Sequence, residues 1–195
     1  DQFRYWLGEE LFQLEKIFAK NSKILSQFKQ DISLKWHSIF HQAILNLLGQ
    51  SFSYNDLIGE VYNEEESLRF HQETDDYTGL FYLYLNKAIL SYLFARKESA
   101  FKYSQKAEEY FGSIRVSFAE QIFYFYDALI WLEYCSQFPS RLEECLLKVT
   151  KNQEKIQNRL PYSAMNLQHK NYLIEAEKAR ILGNYLAAME HYDQA

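Results

Sequence analysis

Three runs in this sequence place an alanine ahead of an apolar cluster: Ala43-Ile-Leu-Asn-Leu-Leu, Ala88-Ile-Leu-Ser-Tyr-Leu and Ala128-Leu-Ile-Trp-Leu-Glu. Ala176 holds the matching place in a fourth. The steps between these alanines, 45, 40 and 48 residues, fall where one supersecondary unit repeats and stacks on its neighbours. A side chain larger than a methyl holds two crossing helices apart, so the alanines mark points of close approach. Composition supports helices rather than sheet. In 195 residues there are 6 Gly and 2 Pro, with three Val and three Thr, so turn residues and β-branched strand formers are scarce. That length holds one domain of ordinary size or a short repeat array.

Apolar residues at Phe3, Leu7, Leu11, Leu14 and Phe18 recur in steps of three or four and predict a first helix. Ser22 is the expected cap of a second, long helix with a stripe from Ile24 through Phe28, Ile32, Trp36, Ile39 and Ala43 to Leu47, ending near Gly49. The two form a hairpin. Residues 50 to 62 lose the periodicity, and Asn63 ahead of Glu64, Glu65 and Glu66 reads as a capping box opening a short helix. Further helices are expected over Leu80 to Arg96, Glu98 to Phe111, Phe118 to Gln137, Ser140 to Arg159, Ala164 to Leu182 and Tyr185 to Ala195, with Ser140 and Glu143 as a second capping box.

In the last unit, Leu182-Gly183 falls at the turn after Ala176, Tyr185 follows, and Ala188, Tyr192 and Ala195 mark the second helix. This resembles the tetratricopeptide consensus, in which Gly permits the tight turn and small and aromatic residues interlock the pair. The middle units diverge: Ala100 and Ala107 are the counterparts in the Ala88 unit, with Ser104 where an aromatic is usual, and Ser140 replaces the second-helix alanine of the Ala128 unit. The fold expected is all-α, a tetratricopeptide-like helical-hairpin solenoid of about four divergent units. Residues 1–38 form N-terminal helices leading into an array over 39–195.

Lys and Arg total 21 against 26 Asp and Glu, and the signs are mixed without a basic stripe, so nucleic acid is not the expected partner. No apolar run approaches the roughly 18 residues that span a bilayer, and residues 1 to 10 lack the order of a secretion signal. Cys135 and Cys145 are too few for a disulfide framework and lack CxxC spacing. A cytoplasmic chain without bridges and without membrane insertion is the expectation. The start at Asp1 and the end inside a helical run suggest a segment of something longer.

No nucleotide loop, nucleophile elbow or kinase catalytic pattern occurs, and no catalytic or metal-binding residue is assigned. His37 and His41 stand four apart on one helix, a spacing that can offer two imidazoles to a metal. They lack the Glu of HExxH and any further ligand, so surface histidines are expected. His71, His169 and His191 are isolated. The Glu64 to Glu66 run suits a helix start better than a calcium loop. Asp75 and Asp76 resemble half of the paired-Asp motif of metal-dependent helical isoprenoid enzymes, but Gly79 stands where the last Asp belongs. Among 16 Tyr, 15 Phe and 3 Trp, core packing is the default, although Tyr also suits a recognition groove.

Leu45-Asn-Leu-Leu-Gly49, the run from Leu57 to Glu66, the run from Thr78 to Lys87, Asn152-Gln-Glu-Lys155, Ala164-Met-Asn166 and the run from Tyr172 to Arg180 together resemble the helical-repeat segment of large bacterial hybrid signalling kinases. In that family a serine/threonine kinase and an AAA/STAND-type ATPase precede the helices, and a GAF domain and a histidine kinase follow. The resemblance covers roughly residues 39–195. It implies a non-catalytic scaffold or sensor arm that contacts a protein, a peptide, or the adjoining ATPase, GAF or kinase domains. No cofactor is implied for the segment itself, since ATP and Mg belong to the other domains of the parent. A concave face counted from the alanines would carry Tyr82 and Tyr92, then Phe125, then Lys170, Glu177 and Arg180. The alternatives are a helical sensor enclosing a small ligand among its tyrosines and a metal-dependent helical enzyme.

Overall fold

Chain breakers are few, and the structure answers with helix after helix. A computed structural model describes residues 1–51, 53–114 and 117–195. Among them stand ten α-helices: α1 (Gln2–Trp6), α2 (Leu11–Gln27), α3 (Asp31–Leu47), α4 (Glu64–Glu73), α5 (Tyr77–Leu93), α6 (Lys97–Glu109), α7 (Phe118–Gln137), α8 (Leu142–Gln157), α9 (Leu160–Ile181) and α10 (Tyr185–Gln194). The only extended pairing among the described residues is an isolated bridge between Ile58 and Asn63. No helix among them is long and apolar enough to cross a membrane. The chain divides into two compact units, Asp1–Arg115 and Val116–Ala195, and the sequence boundary at residue 38 falls inside α3.

One turn is used repeatedly. Lys29, Gly49, Asp75, Ala95 and Gly183 each adopt a left-handed backbone just past a helix end. The next amide then reaches back to the carbonyl five residues earlier, as in Gln30 to Leu25, Asp76 to His71, Arg96 to Ser91 and Asn184 to Ala179. This is the Schellman arrangement. In four hairpins, α2/α3, α4/α5, α5/α6 and α9/α10, that next residue is at once the N-cap of the following helix. A single left-handed residue therefore reverses the chain, and side chains at Asp76 and Asn184 accept N–H groups of the new helix from Gly79 and Ala187.

Several helix boundaries differ from the sequence reading. The first helix is not continuous from Phe3: it breaks at Gly8, left-handed, and the Glu10 carboxylate caps α2. Ser22 caps nothing, because α2 runs through it to Gln27 and the reversal comes at Lys29. Ile24, Phe28 and Ile32 are consequently exposed at the turn rather than on a buried stripe. Ser140 does not cap α8 either. It lies exposed in a single 3-10 turn, Pro139–Arg141, and α8 starts after Arg141 with no side-chain cap. Asn63 does cap α4, accepting from the Glu65 amide.

The four repeat alanines, Ala43, Ala88, Ala128 and Ala176, are all buried, as are Ala100, Ser104, Ala107 and Ala188 on their partner helices. In the first unit α2 packs on α3, α3 and α4 on α5, and α5 on α6; in the second α7 packs on α8 and α9, and α9 on α8 and α10. The expectation of a chain without bridges is corrected. Cys135 near the end of α7 and Cys145 in the first turn of α8 are joined by a disulfide, their Cα atoms 6.3 Å apart. The tight α7/α8 reversal brings the two helices together there, and spacing alone could not show it.

Candidate functional site

In the second unit α9 carries the charged residues expected on a contact face. Lys170 is half-buried, its ammonium 5.5 Å from the centre of the Phe125 ring and 2.9 Å from Nε2 of His169. Burial lowers its pKa. Two turns on, Glu177 accepts from Nε and Nη2 of Arg180 at 3.0 and 2.6 Å, and its other oxygen accepts from the Tyr192 hydroxyl. Arg180 also lies 3.9 Å from Glu133 of α7. Glu177, Arg180 and Tyr192 thus tie α9 to α10 by charge-assisted hydrogen bonds.

The last hairpin also exposes apolar residues. Leu182, Tyr185, Leu186 and Met189 face solvent at the turn and along α10, with Leu186 77% exposed. Tyr162 and Met165 are similarly open near the start of α9, where Ser163 departs from helical geometry. Below the charged face a buried ladder of amides holds α7, α8 and α9. Gln153 donates to Glu175 at 2.7 Å and to Asn171 at 3.3 Å, and Asn152 donates to Asp127 at 2.7 Å, with the Lys148 ammonium 3.4 Å from the same carboxylate. These buried bonds join three helices, and pairing polar groups across them favours one register.

The six expected face residues fall in both units: Tyr82 and Tyr92 in the first, Phe125, Lys170, Glu177 and Arg180 in the second. Two of them do not present a surface. Tyr82 is 9% exposed and packs edge-on to Phe40 and Trp36, and Phe125 is 7% exposed. Their aromatic bodies fill core, which is where large rings gain most. Tyr92, Lys170, Glu177 and Arg180 remain half-exposed.

Sequence reasoning missed a polar core in the first unit. Nδ1 of His71 lies 2.8 Å from Asp76, Nε2 lies 3.1 Å from the Tyr62 hydroxyl, and the Trp36 indole N–H donates to Asp76 at 3.0 to 3.1 Å. Asp76 is therefore a cap and an anchor, and a Cβ at Gly79 would fall on His71 and Asp76, which explains the glycine. Asp75 holds the left-handed turn. The pair does not form a paired-Asp metal motif, and no group of three or more His, Cys, Asp or Glu that could hold a metal occurs among the described residues. Lys87, buried in α5, reaches Glu64 and, at 3.2 Å, Asp56. Burial opposes its charge, but Glu64, Tyr103 and Asp56 outweigh that and raise its pKa. Glu64 also accepts the Leu57 amide at 2.7 Å, and Asn46 donates to the carbonyls of Ser53, Tyr54 and Asp56. The loop before α4 is pinned from three helices.

His37 and His41 are buried, not on the helix surface. Phe18 stacks on His37, whose Nε2 lies 2.9 Å from the Phe18 carbonyl. The signal was available in the stripe, since both lie on the face that carries Ile44 toward the core. No protein-family model matches the chain, and neither a curated protein nor a solved structure does.

Proposed function

We propose that this chain is a non-catalytic arm of tetratricopeptide-like hairpins in a signalling protein of the hybrid-kinase kind, and that it acts by contact with a protein or an adjoining domain. The observation that carries this is the last hairpin. A turn shared with three earlier hairpins and a buried Ala176/Ala188 pair build it as one more unit of a repeating device. Its outer side leaves Leu182, Tyr185, Leu186 and Met189 uncovered beside Lys170, Glu177 and Arg180. Several exposed large apolar residues on one hairpin that also carries charged residues support a contact role. A partner that binds one arrangement of the hairpins more tightly shifts the population toward it, and so biases whatever domain is attached.

Hydroxyl-radical footprinting tests this on the residues themselves, because Tyr and Met oxidise readily when open to solvent. Oxidation of Tyr185 and Met189 is compared in the chain alone and in the chain joined to the ATPase and GAF domains that the resemblance implies. Protection of both, relieved by Leu186→Glu with helicity preserved, is the expected result. Unchanged oxidation on joining overturns an interdomain role for this face.

A further inference from the structure

Between α2 and α3 lies a cleft of about 570 Å³ lined by Ala19, Ser22, Lys23 and Ser26 from one helix, Leu34, Ser38 and His41 from the other, and Val61 from the loop. Leu34, Ser38 and His41 are spaced four and three apart and share one side of α3. His41 is 3% exposed, yet neither ring nitrogen has a hydrogen bond. A Glu15 carboxylate oxygen stands 3.7 Å from Nε2, an ion-pair separation longer than a hydrogen bond. A buried imidazole with an ion-pair neighbour but no hydrogen bond is under-satisfied, and buried polar groups in folded proteins are nearly always hydrogen-bonded. A half-turn of the ring keeps its shape while exchanging nitrogen and carbon positions, so a nitrogen can be offered to the cleft without repacking.

The remaining lining defines the complement. Lys23 is exposed, and it makes no ion pair among the described residues. Ser22 and Ser26 flank it on the same helix, one residue before and three after, so a cation and two hydroxyls line the α2 side of the cleft. Ala19, Leu34 and Val61 supply an apolar wall. Glu15 near His41 keeps a negative group away from that end. The volume falls within the range of small-molecule sites, which pair apolar walls with a few converging polar groups.

We infer that this cleft binds a small organic acid, its carboxylate held by Lys23, Ser22 and Ser26, its apolar body against Leu34 and Val61, and His41 engaging a polar atom of the bound molecule. The site belongs to the first unit and is independent of the contact face on α9 and α10.

The test uses 3-methylbutanoate and 3-hydroxy-3-methylbutanoate as probes and inorganic phosphate as a charge-only control, with the whole chain labelled for NMR. The expected result is saturable shifts confined to amides of residues 19–26, 34–41 and 61, with the hydroxylated acid also moving the His41 ring nitrogens, at a Kd near or below about 1 mM. Lys23→Gln, on an exposed helix position, should weaken binding roughly tenfold or more, the worth of one charge-assisted contact. Ser22→Ala serves as a second variant and should weaken both acids, since its hydroxyl holds the carboxylate they share. Absence of saturation, equal binding to Lys23→Gln, or phosphate binding as tightly as the acids overturns the assignment.

Discussion

Replacing Lys87 with Met removes a buried cation and leaves two carboxylates facing each other's vacancy. The Lys87 side chain is 4% exposed, while those of Glu64 and Asp56 are 17% and 43% exposed. Breaking a fully buried pair costs about 3–5 kcal/mol, because the remaining charge stays desolvated. Here Asp56 can turn to water, so the loss falls mainly on Glu64, and about 2–4 kcal/mol is expected. At roughly 3 kcal/mol, a domain of this size loses about 10 °C in Tm. Urea unfolding of Lys87→Met, Glu64→Leu and the double variant gives the coupling. The double variant should be less destabilised than the sum of the singles, since it strands no charge. Glu64 also holds the Leu57 amide, so hydrogen exchange at Leu57 should quicken in Glu64→Leu and rise less in Lys87→Met. Additive single effects, or a loss below about 1 kcal/mol for Lys87→Met, would refute the claim that this cluster pins the loop.

Ala176→Leu forces three extra carbons into a closed helix crossing and should cost about 1–3 kcal/mol by chemical denaturation, whereas Met165→Ala, at an open position, should stay within about 0.5 kcal/mol; equal effects would show that the alanine is not a crossing point. Ala95 is exposed in a left-handed conformation with φ 56°, so Ala95→Gly should raise stability by up to about 1 kcal/mol, and a loss would mean that the turn is built otherwise. His37, His41 and His71 all have pKa values lowered by burial. Below about pH 6.5 the unfolded chain takes up protons that the folded one refuses, so stability falls with pH by up to about 1.4 kcal/mol per unit for each histidine until the folded pKa is reached. A Tm unchanged between pH 7.5 and 5.5 would contradict that. Finally, alkylation of the oxidised chain under denaturing, non-reducing conditions should label neither Cys135 nor Cys145, and two labels would disprove the bond between them.

How far the sequence could be read follows from what each turn is made of. Gly183 marks its left-handed position openly, and the α9/α10 reversal stands where the sequence puts it. Lys29, Asp75 and Ala95 take the same conformation without glycine, so the α2/α3 reversal was displaced to Ser22 and α5 was begun three residues late. Asn63 and Asn184 declare helix starts through their own side chains, whereas Arg96 and Arg141 begin helices with no side-chain bond and leave no local trace. The buried alanines were legible because small residues recur at a spacing. The polar core was not, because Trp36, Tyr62, His71 and Asp76 come from two helices, a loop and the cap of a third helix, and no local period connects them.

The same division explains why the exposure of the six expected face residues was only partly foreseen. A helix position inherits its side of the helix from periodicity, but whether that side meets core or water depends on the neighbour that covers it. Tyr82 and Lys170 each sit on first helices of hairpins, yet Tyr82 meets Phe40 and Trp36 while Lys170 only borders Phe125. Burying a neutral ring gains from every ångström of area removed from water, and burying an ammonium loses. Of residues placed alike by the repeat, the aromatic ones are therefore drawn inward and the charged ones stay at the rim. Lys87 is the exception that fits the rule, since it enters the core only with Glu64 and Asp56 to meet it. On this physics the outward residues of α9 and α10 divide into charged ones, Lys170, Glu177 and Arg180, whose exposure follows from solvation, and apolar ones, Leu186 and Met189, whose exposure does not. Leu186 and Met189 are the residues whose exposure solvation leaves unexplained, and they are where the footprint should change first.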